Sequence, residues 1–153
     1  MPTRAETEDA LLDLLRAGLP ALKQLGSLPL GLHDRAALDV RDSAVWVYYA
    51  GGEPGENESL SGHLQQEQWT FAVLCLAKRY RGATEGAAAA LELLEAVIDL
   101  LAGAVLYPAD PNGDGLGLHL SKGPDRILPL PEGCGVVGYE ILITCDTFMQ
   151  RLD

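Results

Sequence analysis

The spacing of apolar residues divides the chain into two helical and several strand-like stretches. Leu11, Leu12, Leu15, Leu19 and Leu22 recur at helical spacing, which predicts a helix opening near Thr3. Thr3 with Glu6 three residues on forms a capping box, and Glu6, Glu8 and Asp9 suit the positive end of the helix dipole. Gly18 and Pro20 predict a stop or kink, with 21–25 as a short helical continuation and 26–34 as a loop carrying Pro29 and Gly31. The second helical stretch is richer in alanine. Thr84 is its expected N-cap, 87–90 is a run of alanines, and Leu91, Leu94, Val97, Ile98 and Leu101 make one apolar stripe that ends before Gly103. Glu92, Glu95 and Asp99 line the opposite side, the pattern of a solvated face.

Between and after the helices the period changes to two. A short strand is expected at 37–39. Residues 44–50 put β-branched and aromatic side chains in near succession, which predicts a strand covered on both faces. In 66–80, Trp69, Phe71, Val73 and Cys75 alternate with Thr70, Ala72, Leu74 and Leu76. Both sets are largely apolar, so this strand is expected at the centre of a sheet, ending at Lys78, Arg79 and Arg81. Residues 51–62 read as a polar loop containing Glu53, Glu56 and Glu58, too long for a minimal hairpin turn. Tyr107 opens a turn-rich stretch to 115. Residues 116–120 read as a short strand, 123–126 as a turn, 127–130 as its partner strand, 131–135 as another turn, and 136–148 as the last strand, in which Tyr139, Ile141, Ile143 and Cys145 alternate with Glu140, Leu142, Thr144 and Asp146. The order of elements predicts one α+β domain, with a mixed or antiparallel sheet and two main helices packed on one face.

Composition sharpens this picture through charge. Lys plus Arg is 11 against 22 for Asp plus Glu, a formal net charge of −11. Such a chain does not bind nucleic acid by neutralising phosphates, and it has no polybasic patch for an anionic membrane. Residues 1–6 lack an apolar signal core, and no run is long enough to span a bilayer, so the expected place of synthesis is the cytoplasm. Cys75, Cys134 and Cys145 are odd in number and without C-x-x-C spacing, which predicts buried free thiols.

Candidate chemistry is sparse. Asp110, Asn112, Asp114 and Gly115 match the first half of a calcium loop, but position twelve is Ser121 where a bidentate Glu is needed. The same residues make ordinary turns. His33, His63 and His119 are scattered, with no ligand at metal spacing. A hydrolytic site would need the fold to gather His63, His119, Asp110 and Asp114, and no nucleophile motif supports one. There is no phosphate-binding Gly-rich loop followed by Lys, so no cofactor is expected. Trp46, Tyr48, Tyr49, Trp69 and Phe71 supply core area, with some available as anchors of a subunit interface.

Several segments together resemble a known family. These are the opening helix ending in Ala17-Gly18-Leu19-Pro20; the strand Ala44-Val45-Trp46-Val47-Tyr48-Tyr49-Ala50 running into Gly51-Gly52; the strand from Gln68-Trp69-Thr70-Phe71 to Lys78-Arg79, followed by Arg81-Gly82; the helix through Ala87, Leu91, Leu94, Leu100 and Leu101; and Tyr139-Glu140-Ile141 in the closing strand. In this order they are similar to the Mu-like phage tail proteins related to the product of gene 37 of phage Mu. The resemblance implies a non-enzymatic tail terminator or tail-completion protein. Such a protein forms a homo-oligomeric ring, commonly of six subunits, that ends polymerisation of the tail tube and meets the head-side connector. It also implies assembly in the host cytoplasm and a final place in the virion, with DNA passing through the channel without specific binding. Glu53, Glu56 and Glu58 are the candidates to face that channel or a partner. A neck or head-to-tail adaptor is the nearest alternative, and a calcium-binding or hydrolytic domain built on 110–115 is the alternative of another class.

Overall fold

A computed structural model describes residues 2–28, 40–57, 64–78, 83–107, 117–130 and 135–150. Helix α1 (Arg4–Gly18) begins where the sequence places it. Thr3 is extended at φ −80° and ψ 169°, and its hydroxyl accepts the Glu6 amide at 3.1 Å. An N-cap bond of this kind is worth about 1 kcal/mol. Strand β1 (Gln24–Ser27) follows, then β2 (Ser43–Asn57), β3 (Leu64–Lys78), α2 (Ala83–Leu101), β4 (Val105–Leu106), β5 (Leu118–Ile127) and β6 (Val136–Gln150).

The strands form one six-stranded sheet in the order β1-β2-β3-β6-β5-β4. Only β1 and β2 are parallel, and every other neighbouring pair is antiparallel. The sheet is therefore mixed, with β3 and β6 at its centre, and the fold is α+β as the element order predicts. Both helices pack on one face. Leu11, Leu12 and Leu15 of α1 and Leu94, Val97 and Leu101 of α2 share a core with Val45, Val47, Phe71, Val73, Ile141 and Ile143. The stripe on α2 is narrower than its sequence suggests, since Leu91 is 44% exposed and Ala90 is buried in its place.

The opposite face of the sheet holds a second cluster. Ala44, Leu74 and Leu76 are fully buried there, beside Leu28, Val40, Leu128 and Val136, with Trp46 and Tyr48 packed against them. This is why β3 reads as apolar on both sides: its even and odd positions feed two separate cores.

Four local readings are corrected. Residues 24–27 are a strand, not part of a helical continuation or a loop, because Leu25 and its neighbours pair with 44–47 of β2. Residues 51–57 are strand, not loop. They carry Gly51, Gly52 and Pro54, yet their backbone pairs with β3 from Gly51↔Thr70 to Asn57↔Gln65, with register shifts at Tyr49/Gly51 and Pro54/Asn57. Residues 123–126 are not a turn between two strands. Gly123 and Pro124 occupy a bulge in the single strand β5, between Lys122↔Ile143 and Asp125↔Ile141. Glycine is required at this point, because a Cβ on Gly123 would stand 2.9 Å from the Leu142 carbonyl oxygen. Helix α2 begins at Ala83, which puts Thr84 inside the first turn rather than at the cap. The strand expected at 37–39 and the end of β3 at Arg79–Arg81 lie outside the described residues, as does most of the turn at 131–135.

Candidate functional site: the flanking strands and a polar tether

Two strands, β2 and β5, run on past the short strands beside them among the described residues. On β2, the described pairing with β1 runs to Val47, whose carbonyl accepts from the Leu28 amide at 2.9 Å. Among the described residues no strand stands outside 49–57. On β5, the short β4 covers only Leu118 and His119, and the Leu120 backbone bonds to Gly103 and Ala104. Among the described residues no strand stands outside 121–127. The two flanks lie on opposite sides of the sheet and carry different residues.

The first residue of α1 grips β2 and β3 at Tyr49, Glu67 and Trp69. The Arg4 guanidinium bonds Glu67 at 2.6 Å and lies over the rings of Trp69, at 4.8 Å, and Tyr49, at 5.4 Å. The Tyr49 hydroxyl, and behind it the Glu67 carboxylate, push the Arg4 pKa up from its ordinary value. A guanidinium stacked on two rings suits Arg and not Lys.

A polar tether crosses the helix-free face. Glu140 stands on the central strand β6 with its side chain only 7% exposed. Tyr48 Oη donates to its Oε2 at 3.0 Å, and Arg126 Nε donates to its Oε1 at 3.1 Å. β2 and β5 are thereby tied across β3 and β6 through one carboxylate. Burial, and then the Glu140 charge, push the Tyr48 hydroxyl up to about 12. Replacing Glu140 with Gln removes one acceptor and turns an NH2 towards a donor. The expected cost is about 1–3 kcal/mol, read as a lower urea midpoint. Tyr48 should also ionise at lower pH in an ultraviolet titration, since the charge opposing its ionisation is gone while burial remains.

The residues singled out from sequence are distributed as follows. Glu53 is exposed on β2, opposite Gln68, so it sits on a strand and not in a loop. Glu56 lies in the backbone of the same strand, and Glu58 lies outside the described residues. Asp110, Asn112, Asp114, His33, His63 and Cys134 lie outside them as well. His119 is exposed on β5, opposite Val105. Among the described residues no three His, Cys, Asp or Glu side chains stand close enough to hold a metal ion, and no helix is long and apolar enough to cross a membrane. Cys75 and Cys145 are buried free thiols. Trp69 and Phe71 are core residues, Trp46 and Tyr48 pack on the second cluster, and Tyr49 meets Phe71 edge-on at 5.4 Å. The Arg4 grip and the Glu140 tether are not evident from periodicity. Glu140 does carry a signal, because an acid in the middle of an otherwise apolar central strand has to be buried with partners.

No protein-family model and no curated protein matches the chain.

Proposed function

We propose that this chain is a structural subunit of a phage tail, one of a ring of six copies that caps the tail tube, ends its polymerisation and joins it to the head-side connector. The observation that carries this reading is that the two flanks of one sheet are unlike, with β2 bearing Glu53 and Glu56 on one side and β5 bearing Lys122 and Arg126 on the other. Unlike flanks favour heterologous, head-to-tail contact, and such contacts form a ring where the rotation between copies closes. The segments that resemble the Mu-like tail family supply the rest of the assignment. Acidic Glu53, with Glu56 and Glu58 after it, suits a channel wall that repels passing DNA. The reading assigns no catalytic role and no cofactor to the chain, and it places the protein in the virion after cytoplasmic assembly.

The test is electron microscopy with light scattering on the purified chain, alone and mixed with tail tubes. Rings, and tube ends that carry a cap and stop growing, are the expected result. Monomers only, with tubes left uncapped, would overturn the reading. Binding to the connector without binding to tubes would move the chain to a neck adaptor.

A further inference from the structure

We infer that the first turn of α1 is a brace that couples two distant parts of the sheet. Arg4 fastens it to β2 and β3, and Tyr107 fastens it to the end of β4, so that loosening one side loosens the other. The coupling belongs to the single chain and stands whether or not copies assemble into a ring.

The two fastenings lie far apart in the sheet and close together on the helix. In the order β1-β2-β3-β6-β5-β4, three strand spacings separate β3 from β4. At ~4.8 Å each they make about 14 Å. Arg4 and Glu6 stand on one helical turn. The Arg4 guanidinium bonds Glu67 and lies over Trp69 and Tyr49, while the Glu6 carbonyl accepts from Tyr107 Oη at 2.7 Å. A third bond reaches β1, where Ser27 Oγ donates to Glu8 Oε1 at 2.8 Å. The Arg4 contacts and the Tyr107 contact share no residue, so the helical turn is the link between them.

Both fastenings shape the backbone around them. Tyr107 has φ +49°, and among the described residues no other non-glycine has a positive φ. A left-handed backbone strains a residue that carries a Cβ, and it persists where the surroundings enforce it. The Tyr107 side chain is partly exposed, and its hydroxyl bond to α1 is the contact that pins it. Burial, then the Glu6, Asp9 and Asp13 charges, push the Tyr107 pKa up, so the hydroxyl keeps the proton it donates. At the other fastening a glycine makes room. A Cβ on Gly52 would stand 2.5 Å from Tyr49 Oη and 3.1 Å from Glu67 Oε1. Tyr49 thus lies over the β2 backbone towards Glu67, where Arg4 meets both.

The turn between the fastenings has two states, docked and frayed. Its own bonds converge on Thr3: the hydroxyl accepts the Glu6 amide at 3.1 Å, and the carbonyl accepts the Thr7 amide at 2.9 Å and the Thr7 hydroxyl at 2.8 Å. The rest of the helix is held separately. Leu11 and Leu15 are fully buried, and Gly18 lies so close to Leu100 that a Cβ would collide with it. Fraying therefore stops at the first turn, and fraying that lifts Arg4 off Trp69 also carries Glu6 away from Tyr107.

The experiment is amide and indole hydrogen exchange by NMR on the full chain, as wild type, Tyr107→Phe, Arg4→Gln and the double variant. The Thr7 amide reports the turn, the buried Trp69 indole N–H reports the cover that Arg4 gives it, and the Leu15 amide reports the helix body. Tyr107→Phe removes one hydrogen bond at the β4 side. It should speed exchange at Thr7 about five-fold, and at Trp69 by the same factor. Arg4→Gln should also speed both, and the double variant should show the product of the single factors, because both fastenings close one opening. Leu15 should keep its wild-type rate throughout. A Trp69 rate unchanged by Tyr107→Phe would overturn the coupling. So would equal acceleration of Trp69 and Leu15, which reports loosening of the whole fold.

Discussion

Truncating Phe71 to alanine is expected to lower the unfolding free energy by about 3–5 kcal/mol, the range for a large buried aromatic. Phe71 is fully buried on the central strand, its ring meets Tyr49 edge-on at 5.4 Å, and its register partners are Tyr49 on β2 and Ile143 on β6. The void would open under both helices, where neither strand can close over it without giving up its pairing. A domain of this size is stable by about 5–15 kcal/mol, so the variant should sit near the edge of folding at ambient temperature. Urea denaturation followed by circular dichroism checks this. The midpoint should fall with the slope unchanged, and a loss under about 1 kcal/mol would contradict the placement of Phe71 in the main core.

The second large effect is alkaline. Burial pushes the Cys75 thiol from 9.0 up to about 12, and burial with the Asp146 charge pushes Cys145 to about 11. Both are acids whose neutral form the folded state prefers. The unfolded chain releases these protons from pH 9 upward while the folded chain keeps them, so stability is intact below pH 9 and falls as pH rises towards 12. For Cys75 alone the three-unit shift corresponds to about 4 kcal/mol by pH 12. Tyr48 acts in the same direction between pH 10 and about 12. Urea midpoints measured from pH 8 to 11.5 should drop steeply in wild type and less steeply in Cys75→Ala. Parallel slopes would show that the buried thiol is not responsible. The same burial should leave both thiols slow towards an aromatic disulfide reagent at pH 8 until the protein is denatured.

Helix α1 was legible because its signals are local: a threonine cap, acids in the first turn and leucines at helical spacing. The two apolar sets of β3 likewise announced a central strand. Legibility ended where a backbone partner decides the outcome. The stretch Gly51-Gly52-Glu53-Pro54 has every mark of a loop, yet an outer strand tolerates glycine and proline when one neighbour supplies its hydrogen bonds. Gly123-Pro124 looks like a turn and is a bulge, because β6 runs on beside it for its whole length. Leu25 fits a helical stripe and becomes β1, since 44–47 offers it a parallel partner. The order of the strands was invisible for the same reason, because no single segment records which strand stands beside it.

Gly138 has a consequence for how the central strands find one another. β3 and β6 match over fifteen residues, and both faces of the pair are apolar near its middle. A slip of one step would therefore still bury grease on each side, and the ordinary penalty for misalignment is blunted. Gly138 stands opposite Leu76, and a Cβ there would run into the leucine's methyl group. A slip would bring Val137 or Tyr139 against that leucine instead, and would carry Glu140 away from Tyr48. The missing side chain works as an index notch, letting two strands that would slide freely past each other click into a single setting.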